Sequence, residues 1–175
     1  MKLLAFAASS SAQSINKALA THAASLVEGA SVEILDINDY EMPIFSTDRE
    51  AELGHPEQAQ AFFKKIGEAD AIIVSFAEHN GSYTAAYKNL FDWTSRIEQK
   101  VYQGKPVVYL ATSPGPGGAQ TVLNSAVTSA PYFGVDLKGS LSVPSFYDNF
   151  DMEAQKLNNA ELLDALKTTV NVLAV

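Results

Sequence analysis

The stretch Ala71-Ile72-Ile73-Val74-Ser75-Phe76-Ala77-Glu78-His79-Asn80-Gly81-Ser82-Tyr83 decides the fold. Its first six residues form a short, nearly continuous apolar run, as expected of a strand covered on both faces. Asn80-Gly81 is a tight-turn pair, and Ser82 is the expected cap of a following helix. Beyond it, Leu90, Trp93 and Ile97 recur at steps of three and four, the period of one helix face. A buried strand that turns into an amphipathic helix belongs to a parallel sheet, whose strands need long crossovers.

The same alternation runs outward in both directions. Leu3–Ala7, Val32–Leu35, Val107–Ala111 and Leu137–Val143 read as further strands. Ile15, Leu19, Ala23 and Leu26 mark a helix after the first strand, and Phe62, Phe63 and Ile66 one before Ala71. Val122, Ala126, Val127 and Ala130 mark a fourth helix, and Leu162, Leu166, Val170 and Leu173 a fifth. Five β-α units predict an α/β, flavodoxin-like three-layer sandwich with a five-stranded parallel sheet of order 2-1-3-4-5, one domain over residues 1–175. Two connections exceed ordinary turns, Ile37–His55 and Pro144–Leu157, and loops of that length usually serve function or cover a partner.

Composition removes whole classes. The chain has 175 residues, 47% hydrophobic and 18% charged, enough to bury a core without disulfides or a structural metal. Twenty acidic and twelve basic residues give a net charge of −8, which argues against a nucleic-acid partner. With no cysteine there is no disulfide, thiolate nucleophile, Fe–S cluster or Cys-based zinc site. No apolar run approaches the ~18 residues of a membrane span, so no membrane association is expected. Met1-Lys2-Leu3-Leu4-Ala5-Phe6-Ala7-Ala8 reads as a buried first strand, too short and too weakly basic for a signal peptide, so a cytoplasmic location is expected.

In an open parallel sheet, ligands bind beyond the carboxyl ends of the strands, at the point where strand order reverses. That point lies between the first and third strands, where three unusual loops converge. The first, Ser9-Ser10-Ser11-Ala12-Gln13-Ser14-Ile15-Asn16, places hydroxyls and amides at a helix N-terminus, a phosphate cradle of neutral donors. Ser14 is also the expected N-cap. The second is Ala77–Tyr83. The third, Thr112-Ser113-Pro114-Gly115-Pro116-Gly117-Gly118-Ala119, is a rigid bend whose glycines admit close approach to the backbone. Neither a nucleoside-triphosphate loop nor the dinucleotide Gly-x-Gly-x-x-Gly motif is present, since Gln120 stands where the last glycine would be. His79 has no histidine, cysteine or carboxylate pair at metal-ligand spacing, so no metal is expected. A flat ligand with one phosphate suits these loops. Flavin mononucleotide (FMN) would seat its phosphate at the first and its ring against backbone of the other two.

At these residues the sequence resembles the NADPH-dependent FMN reductase family, which includes quinone, chromate and azo-dye reductases. The family's Gly-Ser-x-Arg-x-x-Ser-x-Asn appears as Ala8–Asn16. Its Pro-Glu-Tyr-Asn-Gly-Ser, followed by Leu-Lys-Asn-x-x-Asp-Trp, appears as Ala77–Ser82 and Tyr87-Lys88-Asn89-Leu90-Phe91-Asp92-Trp93. Its Ser-x-Gly-x-x-Gly-Gly-like loop is similar to Ser113–Gly118, and the likeness runs from Lys2 to Phe133. Ser11 replaces the family's arginine, Ala77 its proline and His79 its tyrosine.

The resemblance implies an oxidoreductase that passes hydride from NADPH or NADH through FMN to a quinone or similar small electron acceptor. It implies phosphate contacts from Ser9, Ser14 and Asn16, with Ser11 and Ile15 in the same loop. It implies ring contacts from Glu78, His79, Asn80, Gly81 and Ser82, and from Ser113, Pro114, Gly115, Gly117 and Gly118. No catalytic side chain is needed, because the cofactor carries the chemistry. A homodimer or homotetramer is also implied. Tyr83, Tyr87, Phe91 and Trp93 point the same way, on more faces than one core stripe should bury. The alternatives are a flavodoxin-like electron carrier and a flavin-free binding protein.

Overall fold

A computed structural model describes residues 1–174. Five strands, β1 (Lys2–Ala8), β2 (Ser31–Leu35), β3 (Ala71–Phe76), β4 (Lys105–Thr112) and β5 (Val135–Val143), form one sheet. All four pairings are parallel and the order is β2-β1-β3-β4-β5, as the alternation requires.

The pleat sends successive side chains to opposite faces. Leu4 and Phe6 of β1, Ile72, Val74 and Phe76 of β3, and Val107 and Tyr109 of β4 join one core cluster. Leu3 and Ala5, Ala71 and Ile73, and Val108 and Leu110 join the other. The first face is covered by α3 (Glu57–Glu68), α4 (Ala85–Ser95) and α5 (Gln120–Ser129). The second is covered by α1 (Ile15–Ser25), α6 (Phe146–Asn149) and α7 (Ala160–Asn171). The chain thus leaves β1 toward one face and β3 toward the other, which opens a crevice between the two loops.

Four details differ from the sequence reading. β3 matches its apolar run, and the other four strands run one to three residues longer than theirs. The segment after β2 holds a 3-10 turn over Ile37–Tyr40 and a helix, α2 (Thr47–Leu53), with no buried residue. The segment after β5 holds α6 and a two-stranded antiparallel hairpin of β6 (Phe150–Asp151) and β7 (Lys156–Leu157). The aromatic residues of α4 are not in excess of its burial. Trp93 is wholly buried and donates from Nε1 to Pro43 O at 2.7 Å, Tyr87 is buried, and Tyr83 and Phe91 are half-buried.

Candidate functional site

The first loop caps its helix and leaves donors over. Ser14 is the N-cap of α1, its Oγ accepting the Lys17 N–H at 3.2 Å. Ser9 is buried and its Oγ accepts the Ser11 N–H at 3.2 Å, which curls the loop back over the strand end. The first-turn N–H groups of α1 have no intrahelical carbonyl to reach, so the helix end carries partial positive charge. No cationic side chain adds to it. Lys17 is neutralised by Asp36 at 2.7 Å, and the same hydrogen bond holds the Asp36 carboxyl below its ordinary range.

Asn16 departs from the expected phosphate contact. Its side chain is buried, and its Oδ1 accepts from Ser75 Oγ at 2.8 Å and from the Thr112 N–H at 3.1 Å. Its Nδ2 donates to Thr112 O at 3.2 Å. The amide therefore ties the start of α1 to the ends of β3 and β4. The side-chain oxygen and one amide hydrogen are thus committed within the protein.

The second loop is a two-residue hairpin. His79 and Ser82 exchange backbone hydrogen bonds at 3.0 and 3.2 Å, and Asn80 (φ 54°) and Gly81 (φ 76°) are both left-handed, which the Asn-Gly pair favours. Because Ser82 is committed to this hairpin, it does not cap α4. Thr84 does, accepting the Tyr87 N–H at 3.2 Å and donating to Ala8 O at 3.0 Å. Glu78 serves the neighbouring loop. Its carboxylate accepts the Val122 N–H at 2.7 Å, capping α5, whose own N-cap Ala119 has no suitable side chain.

The third loop splits its glycines between two tasks. Gly118 is structural: a Cβ there would collide with Ser142 Oγ and meet Pro144 N at 3.1 Å, and its φ is +57°. Around Gly115 and Gly117 a Cβ would meet nothing within 4 Å, so their backbone is open to a ligand.

The three loops line one open cleft of about 240 Å³. Ser9, Ser11, Ser14, Ile15 and Asn16 border it from the first loop, Glu78 and His79 from the second, and Ser113 and Pro114 from the third. Asn80, Gly81, Ser82, Gly115, Gly117 and Gly118 belong to the same loops but do not line the cleft. Sequence reasoning missed Gln13, Ala77, Thr112 and Tyr147, which also border it. The first three sit inside the loops already read, whereas Tyr147 comes from the long segment after β5. Neutral hydroxyl, amide and backbone donors at a helix N-terminus, beside open glycine backbone, are the donor set a phosphate-bearing planar ring needs. The residues present fit FMN. Among the described residues no cluster of three or more His, Cys, Asp or Glu could hold a metal ion.

The model of the family described as NADPH-dependent FMN reductase matches residues 1–148. The chain belongs to this family. It is 37% identical over 95 residues to an NADPH:quinone oxidoreductase of Arabidopsis thaliana, covering 54% of this chain and 47% of that protein. It is 34% identical over 116 residues to an NAD(P)H-dependent FMN reductase of Pseudomonas aeruginosa, covering 66% of this chain and 61% of that one. The chain thus spans roughly half the length of these curated relatives. The solved structure of FerB, a flavoenzyme NAD(P)H:(acceptor) oxidoreductase of Paracoccus denitrificans, superposes with a TM-score of 0.77. That superposition covers 99% of this chain and 94% of FerB at 23% identity, and it establishes the shared fold.

Proposed function

We propose that this protein is an NAD(P)H-dependent FMN oxidoreductase that delivers hydride to a quinone or similar small acceptor. FMN, when bound, supplies the two-electron chemistry between nicotinamide and acceptor, and the protein holds and orients it. The observation that carries the reading is the convergence of three loops on one cleft at the strand-order reversal, in a member of this family. The relatives named as quinone oxidoreductase and FMN reductase support the activity and the acceptor class.

The chain's own residues have separable tasks. The Ser11 and Ser14 hydroxyls and the backbone N–H groups of Ile15 and Asn16 bind phosphate. The Asn16 amide fixes the helix that presents them. Backbone of Ala77–Ser82 and of Ser113–Gly117 meets the ring edges, and Glu78 holds those two loops in register. His79 is exposed and borders the mouth, where nicotinamide and acceptor would stack in turn. The protein acts in the cytoplasm. No helix among the described residues is long and apolar enough to cross a membrane.

Steady-state assay of the FMN-loaded protein with NADH or NADPH and a benzoquinone tests this. Quinone-dependent oxidation of the nicotinamide, lost on removal of FMN, is expected. Oxidation that does not require FMN, or no oxidation with any quinone, contradicts it.

A further inference from the structure

The cleft has a wall that the family motifs do not supply. Its first three sides are the loops after β1, β3 and β4, and the fourth is Tyr147 of α6. This phenol is 61% exposed although the element that carries it is well anchored. The turn that carries it is firmly held. The Ser145 N–H donates to Gly115 O at 2.9 Å and the Phe146 N–H to Ser113 O at 3.0 Å, so α6 is bolted to the third cofactor loop. Phe146 is fully buried and stacks on Phe150 at 4.6 Å. Asn149 Nδ2 donates to Pro144 O at 2.9 Å and closes the turn from behind. The Tyr147 and Asp148 side chains of this turn are exposed. The Tyr147 ring meets Phe146 edge-on at 5.5 Å, and its hydroxyl has no hydrogen-bond partner among the described residues.

The cleft it faces is short of donors for a charged group. No lysine or arginine borders it, and Ser11 stands where the resembling motif carries arginine. The one charged side chain there, Glu78, is an anion engaged with α5. A phosphate in the first loop would therefore rely on hydroxyls and the helix end alone, with Tyr147 as a further neutral donor bordering the same cleft. A phenol is the longest neutral donor a side chain can offer, and a hydrogen bond to an ionised oxygen is about twice as strong as one between neutral groups.

We infer that Tyr147 is a phosphate contact, its hydroxyl donating to the phosphate of FMN held by the first loop, with which it borders one cleft. The inference rests on the cofactor reading above and adds a residue to it. The turn that carries Tyr147 is already anchored to the third loop, so the residue is presented to the cleft from a fixed backbone.

Dissociation constants for FMN and for riboflavin, which lacks the phosphate, test it by quenching of flavin fluorescence in the wild type, Tyr147→Phe and Tyr147→Ala. Tyr147→Phe keeps the ring and loses the hydroxyl. It should weaken FMN about tenfold, the scale of one hydrogen bond to a charged group, and leave riboflavin unchanged. Tyr147→Ala should lose no more than that for FMN. Thermal midpoints of the three apoproteins should coincide, because the side chain is exposed. Unchanged FMN affinity in Tyr147→Phe overturns the inference. So does equal weakening of FMN and riboflavin, which would make Tyr147 a packing surface for the rest of the flavin. Failure of the wild type to bind either flavin overturns the cofactor reading itself, and that result appears before any variant is compared.

Discussion

At the scale of single residues, two buried polar side chains on α1 do opposite things. His22 is buried, its Nε2 has no hydrogen-bond partner, and its ring meets Phe150 edge-on at 6.0 Å. Burial holds its pKa below the ordinary 6.5, and Lys156 on β7 and Lys167 on α7 add to the cost of a second charge. The unfolded chain therefore takes up a proton that the folded one refuses. Its share of stability is complete above the unfolded value of 6.5 and is lost as pH falls through it toward the folded value. Chemical denaturation from pH 8 to pH 5 should show this loss in the wild type and a flatter curve in His22→Leu. Parallel curves would show that His22 takes no part. Asn16, by contrast, has every polar atom of its side chain engaged. Its partners lie 59 and 96 residues away, so nothing local in the sequence distinguishes a ligand amide from a strut. Ser14 and the Asn80-Gly81 turn were legible because their hydrogen bonds close within a few residues.

At the scale of elements, α5 depends on a residue outside itself. Its N-cap position is Ala119 in a left-handed conformation, and the missing acceptor comes from Glu78. Glu78→Ala should destabilise the protein by about 1–2 kcal/mol in urea unfolding, and Glu78→Gln, which keeps an acceptor oxygen, by less. Equal stability of all three proteins would remove Glu78 from the capping of α5. The same scale explains what the sequence reading reached. Strands β1, β3 and β4 are buried on both faces and are written as continuous apolar runs, so their existence and order could be read. The helix α2 buries nothing and leaves no apolar stripe, and β6 and β7 are two residues each, too short for any period. The loop that carries Tyr147 stood out by its length, but a lone exposed aromatic within it gave no signal of its direction.

At the scale of the whole molecule, α4 and α5 border a cavity of about 350 Å³ walled by Phe76, Tyr83, Phe91 and Phe133, with the Lys88–Asp92 ion pair at its rim. We propose that a second copy of the chain covers this face. Sedimentation at micromolar concentration should then show a species heavier than the 18.8 kDa monomer, and a monomer alone would contradict it. The central claim concerns the cleft at the strand-order reversal, where the sequence, the geometry and the family agree. The most direct measurement is the visible spectrum of the FMN-loaded protein under anaerobic conditions, during addition of one equivalent of NADH or NADPH and then of a benzoquinone. The account predicts that the bound yellow chromophore bleaches with the nicotinamide and returns in full with the quinone. A protein that retains no flavin on desalting, or whose bound flavin keeps its colour in the presence of both nicotinamides, would contradict it.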